Sequence, residues 1–236
     1  MNDHNIIPHL IPPLIQFASQ SQLDKKTESE EQHNQQQSQF SSSLSLITSS
    51  INLLNNLIRD NNNNCKQLIK TPKALHSIST LSCYKINIHF NQENDQQTLA
   101  LRSSSRRCLF SIIQEYGDAS DHTELVNANY VGTLVIAIST ASGHGEEEDR
   151  EIQNGLFRIS EFLRNLRQGK YNSFPPQPLL ARRADEQIEE EGGNEEIDSQ
   201  LINKGFSGSI KNSANRAKQM IMNYFVEQGS TRPYWY

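Results

Sequence analysis

The chain has 236 residues, of which 35% are hydrophobic, and a formal net charge of -5. Acidic charge disfavours non-specific nucleic-acid binding. Three cysteines without CxxC spacing point to reduced thiols, in place of a disulfide framework or a zinc site.

The opening residues MNDHN carry no basic segment of the kind that begins a secretory signal. Residues 5–19 read as a helical piece. Pro12 and Pro13 fit a first helical turn, where a missing N–H is tolerated, and Leu14, Ile15, Phe17 and Ala18 supply an apolar face. No companion helix precedes this piece, so it reads as a cap or as the leading edge of a longer array. Residues 20–43 are rich in Gln, Ser, Glu and Asn and hold almost nothing apolar, which predicts a disordered insert.

Ser49–Ile69 is the clearest structural unit. Ile51, Leu54 and Ile58, with Leu53 and Leu57, recur at helical spacing, and the Asp60–Asn64 run stops the helix because short amide side chains compete for the backbone. A short helix with Leu68 and Ile69 follows, then a further helix over 73–84 carrying Ala74, Leu75, Ile78 and Leu81. Residues 85–97 are expected to be a helix end and a loop, although Lys85–Phe90 alternates as a short strand would. A second long helix is predicted over Leu99–Tyr116, with Leu101, Cys108, Leu109, Ile112 and Ile113 inward and Gly117 as its stop.

Short helices are expected at 124–127 and 131–139. The apolar run Tyr130–Ala141 is too short, and too interrupted by Gly132 and Thr133, to span a bilayer. No membrane association is expected, and the location is cytoplasmic or nuclear. Residues 142–149 form a Gly/Glu loop before a third long helix over Glu151–Leu166. Residues 169–193 read as a second disordered insert, Pro-rich then acidic. A short helix over 196–204 and a last long helix over Ser213–Val226 follow, with 227–236 as a tail.

The histidines lack i, i+4 partners, and no calcium-loop, P-loop or nucleophile-elbow pattern is present, so neither a metal, a cofactor nor catalysis is expected. Ser103, Ser104 and Ser105 lie among Arg102, Arg106 and Arg107, and could accept phosphate. Against that stands a plainer reading, a basic helical turn exposed to water.

The short pieces Lys66–Lys70, Thr123–Asn127 and Ser199–Asn203 share the order polar, polar, Leu, β-branched, polar. Leu68 and Leu125 are 57 residues apart, and Leu125 and Leu201 are 76 apart. Removing loops and inserts brings both near the roughly 40–47-residue period of armadillo and HEAT units. On these residues the chain resembles the armadillo-repeat family over about 5–19, 44–84, 99–166 and 194–226, within a repeat domain expected over 5–226.

The resemblance implies an all-α, right-handed α-solenoid with disordered inserts, whose long helices line a concave groove. It implies a protein-interaction scaffold that binds a partner protein or extended peptide. In the family's peptide-binding members an Asn on the long helix bonds the ligand backbone. The matching positions here are Asn56, Ser111, Arg158 and Asn223. Arg102, Arg106, Arg107 and Arg158 together would make a basic strip suited to an acidic peptide. The alternative expectation is a terminal structural fragment of a larger repeat protein whose activity lies elsewhere.

Overall fold

The computed structural model describes residues 6–24, 36–86, 92–113, 117–139, 149–202 and 208–222. Among them the chain is all helical, with eleven α-helices and no strand beyond one isolated bridge between Lys170 and Phe174. It divides into two compact units, Met1–Thr133 and Leu134–Tyr236, where a single repeat domain over 5–226 was expected.

The first unit opens with α1 (Ile7–Asp24), whose Ile7, Ile11, Leu14 and Ala18 are buried at helical spacing. The helix begins early enough to place Pro12 and Pro13 in its interior, not in its first turn. The two carbonyls left without an N–H partner belong to the exposed residues Pro8 and His9, where water can serve them. In α2 (Gln36–Asp60) the core stripe is Leu44, Ile47, Ile51, Leu54 and Ile58. α1 and α2 therefore occupy both ends of the stretch expected to be disordered, and residues 25–35 of it lie outside the described residues. Gln is nearly as good a helix former as Leu, so a polar tract next to an anchored apolar stripe extends the helix.

α3 (Asn62–Lys70) and α4 (Ala74–Leu81) return the chain to α5 (Gln92–Ser111). α5 begins at Gln92, well before Leu99. Glu93 and Asp95 in its first turn complement the positive end of the helix dipole. Lys85 and Ile86 lie in a turn, and 87–91 fall outside the described residues. α1 packs on α2, α3 and α4, and α5 packs on α2 and α4. The rings of Phe17 and Tyr84 meet at 5.4 Å between centroids.

Asp118 caps α6 (Ala119–Asn127) in a reciprocal capping box. Its carboxylate accepts from the N–H groups of Ser120 (2.8 Å) and Asp121 (3.0 Å), and Asp121 accepts from the Asp118 N–H at 2.9 Å. The domain boundary falls on α7 (Tyr130–Ile138).

In the second unit, α8 (Asp149–Gln168) buries Ile152, Leu156, Ile159, Phe162, Leu163 and Leu166. Residues 169–193 are ordered, which corrects the expectation of a second disordered insert. A turn over Lys170–Phe174 closes on itself through Lys170 N–H to Phe174 O (2.9 Å). Pro178 then starts α9 (Pro178–Glu190), where proline is favoured, and Leu180, Ala181, Ala184 and Ile188 face inward. Arg167 of α8 donates to both Asp185 carboxylate oxygens at 2.7 Å. Burial raises the Asp185 carboxyl above its ordinary value and outweighs the lowering by Arg167, so this pair contributes orientation more than stability. α10 (Gly193–Gln200) and α11 (Ser209–Met222) complete the unit, with α11 on α8 and α10, and α9 on α8 and α10.

With α9 in place the helices fall into three consecutive sets of three, α3–α4–α5, α6–α7–α8 and α9–α10–α11. The first two sets run short, short, long, with 9, 8 and 20 residues and then 9, 9 and 20, whereas the third has 13, 8 and 14. The residues before the first helix of each set, Asn61, Asp118 and Gln177, are 57 and 59 residues apart. Four residues on, Cys65, His122 and Ala181 are buried, and seven on, so are Leu68, Leu125 and Ala184. The counterpart of Leu125 in the third set is thus in α9 and not at Leu201, which is the C-cap of α10. Each pair of short helices is joined through one left-handed residue: Lys73 (φ 65°), Asn129 (φ 56°) and Gly192 (φ 66°).

Partial burial alone would raise the Asp118 carboxyl, but hydrogen bonds from Asp121 and Ser120, aided by the charge of Lys66, hold it below its ordinary value. A depressed carboxylate pKa supplies stability above the ordinary Asp range that is lost as pH falls through the native value. Asp118→Ala should lower stability by about 1 kcal/mol at neutral pH, whereas Asp118→Asn should retain most of the cap. The wild-type advantage over Asp118→Asn should shrink below about pH 4, read from urea midpoints at neutral and acid pH.

Candidate protein-binding surface

The surface is built on the two long helices of the first unit. Ser111 Oγ donates to Asn55 Oδ1 at 2.7 Å in a buried bond, and Arg107 Nη2 donates to Asn52 Oδ1 at 2.7 Å on the exposed side. Going from the second pair to the first, the residue numbers rise on both helices. α2 and α5 are therefore parallel, and one side of their contact is polar and open.

On that open side α2 presents Ser45, Ser49, Asn52 and Asn56, and α5 presents Gln96, Ala100, Ser103 and Arg107; Asn52 and Ser103 are half-buried and the others exposed. Asn52, Asn56 and Arg107 offer amide donors and acceptors and one guanidinium, a set able to bond peptide units and a carboxylate.

The four positions matched to the family pattern do not share one surface. Asn56 is exposed on α2. Ser111 is buried and already bonded to Asn55, so it holds the helices together and faces no ligand. Arg158 is a buried residue of α8 in the second unit. Asn223 lies outside the described residues. The expected basic strip also dissolves, because Arg102 and Arg106 are buried along with Arg158 and only Arg107 of the four is exposed. Arg102 donates to the Tyr84 carbonyl at 3.3 Å and Arg106 to the Arg102 carbonyl at 3.3 Å. Guanidiniums on long stems reach backbone oxygens from inside the packing, and spacing alone does not show this. Ser104 and Ser105 are buried as well, which leaves half-buried Ser103 and exposed Arg107 as the members of that cluster on the open side.

Asn55 and Arg107 are the residues that sequence reasoning underweighted. Asn55 completes the spacing Ile51, Leu54, Asn55, Ile58 and so occupies a core position of the stripe. That spacing is visible in the sequence, although an Asn in a core position is not what a hydrophobic stripe leads one to expect.

Other chemistry has little footing among the described residues. Burial, with a smaller contribution from neighbouring Cys65, pushes the Cys108 thiol up to about 12 against the lowering by Arg107, so it is no nucleophile at neutral pH. His122 is buried beneath the α6 cap, with Nδ1 2.8 Å from the Asp118 carbonyl oxygen. No cluster of three or more His, Cys, Asp or Glu side chains suited to a metal occurs among the described residues, and no described helix is long and apolar enough to cross a membrane.

Asn55→Ala leaves the buried Ser111 hydroxyl without its acceptor and should cost about 1–3 kcal/mol in urea unfolding. The double variant Asn55→Ala with Ser111→Ala should cost less than the two single losses together, since neither polar group is then stranded.

No family model matches the chain, and neither a curated protein nor a solved structure matches it.

Proposed function

We propose that this chain is a non-enzymatic protein-interaction scaffold of armadillo-like helical repeats, which takes an extended segment of a partner protein along the open polar side of α2 and α5. The supporting observation is the recurrence of three-helix sets, with the residues before the first helix of each set 57 and 59 residues apart and a left-handed joint in each set. In the first unit the ligand lies across Asn52, Asn56 and Arg107, with Asn56 bonding its backbone and Arg107 favouring an acidic side chain. The three cysteines, Cys65, Cys83 and Cys108, lacking CxxC spacing, suit a reducing compartment, the cytosol or nucleus.

Selection from a random peptide library on the immobilised full chain tests this reading. Extended peptides carrying Asp or Glu should be enriched. Their affinity should fall about tenfold with Arg107→Ala, the size of one charge-assisted hydrogen bond, and further with Asn56→Ala. Enrichment of nothing, or of peptides indifferent to both changes, would remove the scaffold's proposed face.

A further inference from the structure

We infer that the open side of α2 and α5 takes an extended, otherwise uncharged peptide through one carboxylate in preference to a phosphate, and that Asn52 sets this choice by positioning Arg107. The inference rests on the peptide-binding reading and narrows its ligand.

Charge carries the first step. From Gln36 to Ile58, α2 contains no charged residue. Of the α5 positions on the open side, Gln96, Ala100, Ser103 and Arg107, only the last is charged. Arg102 and Arg106, which would make a cluster with it, are buried and donate to the carbonyls of Tyr84 and Arg102. Asp60 lies one turn beyond Asn56 and closes that end of α2 with a negative charge. Phosphorylated segments carry nearly two charges at one side chain and are received by clusters of arginine. A lone guanidinium balances one carboxylate and leaves a phosphate half-neutralised.

The bond to Asn52 carries the second step. Arg107 Nη2 donates to Asn52 Oδ1 at 2.7 Å, the one hydrogen bond of that guanidinium among the described residues. Ordering a long arginine side chain costs entropy, and a guanidinium already held by a neighbour spares the ligand part of that cost. Asn52 is neutral, so it fixes the guanidinium without cancelling the charge, as a carboxylate there would.

The uncharged row supplies the rest. Ser45, Ser49, Asn52 and Asn56 follow one another at four-, three- and four-residue steps on α2. They span about 16 Å of helix, the reach of about five extended residues. Hydroxyls and amides at this spacing can donate to and accept from peptide units and add no charge of their own.

Binding of the full chain to three fluorescent peptide libraries tests the inference. Each library has a fixed Glu, Gln or phosphoserine between three random uncharged positions on either side. The Glu library should bind about tenfold more tightly than the Gln library, and more tightly than the phosphoserine library. Asn52→Asp should bring the Glu library down to the Gln library. Asn52→Ala should narrow the gap between those two, and Asn52→Gln should restore part of it; a merely structural defect would weaken all three libraries alike. Phosphoserine binding as tightly as Glu or more so would overturn the inference. So would a gap that both Asn52→Ala and Asn52→Asp leave unchanged, or an equal weakening of every library. If Arg107→Ala closes the gap and the Asn52 variants do not, the peptide-binding reading stands and only the role of Asn52 falls. Binding of none of the libraries would remove that reading and the inference together.

Discussion

The buried bond between Ser111 and Asn55 is the constraint on which the first unit depends. It sits between two parallel helices that the chain reaches only by passing through α3 and α4, so it locks a long-range pairing with one short contact. Apolar packing alone allows a helix to slide by a turn at small cost, whereas a buried amide and hydroxyl are satisfied in only one register. Asn52 and Arg107 repeat that register on the wet side. The exposed polar face of α2 follows from it, because the rotation of α2 is set by which Asn points inward.

The all-helical class was legible from apolar spacing, and so were the buried faces of α2, α4, α5 and α8. Composition misled where polar residues did the structural work. The tract before Leu44 and the acidic segment after Pro178 both look unable to order themselves, yet the described residues of each are helical and adjoin a modest apolar stripe. Leu180, Ala181, Ala184 and Ile188 are buried at helical spacing, but two of the four are alanines, with Arg182, Arg183, Asp185 and Glu186 between them and three glutamates after them. Missing that helix also displaced the third copy of the repeat onto Leu201.

The candidate surface was legible in part. Asn56 lies on an exposed helical face, but its neighbour Asn55 took the contact that spacing alone would give to a hydrophobe. The arginines show the same limit. Arg102 and Arg106 are charged by composition and buried by position, because their stems pack while their heads find backbone carbonyls. A sequence shows which groups can bond; it does not show which of them are spent on the fold.

The joints between paired short helices carry a consequence for how the copies have diverged. The same left-handed backbone is held by Lys73, Asn129 and Gly192 in turn. Glycine takes this conformation without steric penalty and asparagine tolerates it, but for lysine the Cβ meets the neighbouring carbonyl at a cost of about 1–2 kcal/mol. The first joint therefore carries a backbone strain that the last does not, and the packing of α3 and α4 against α1 offsets it.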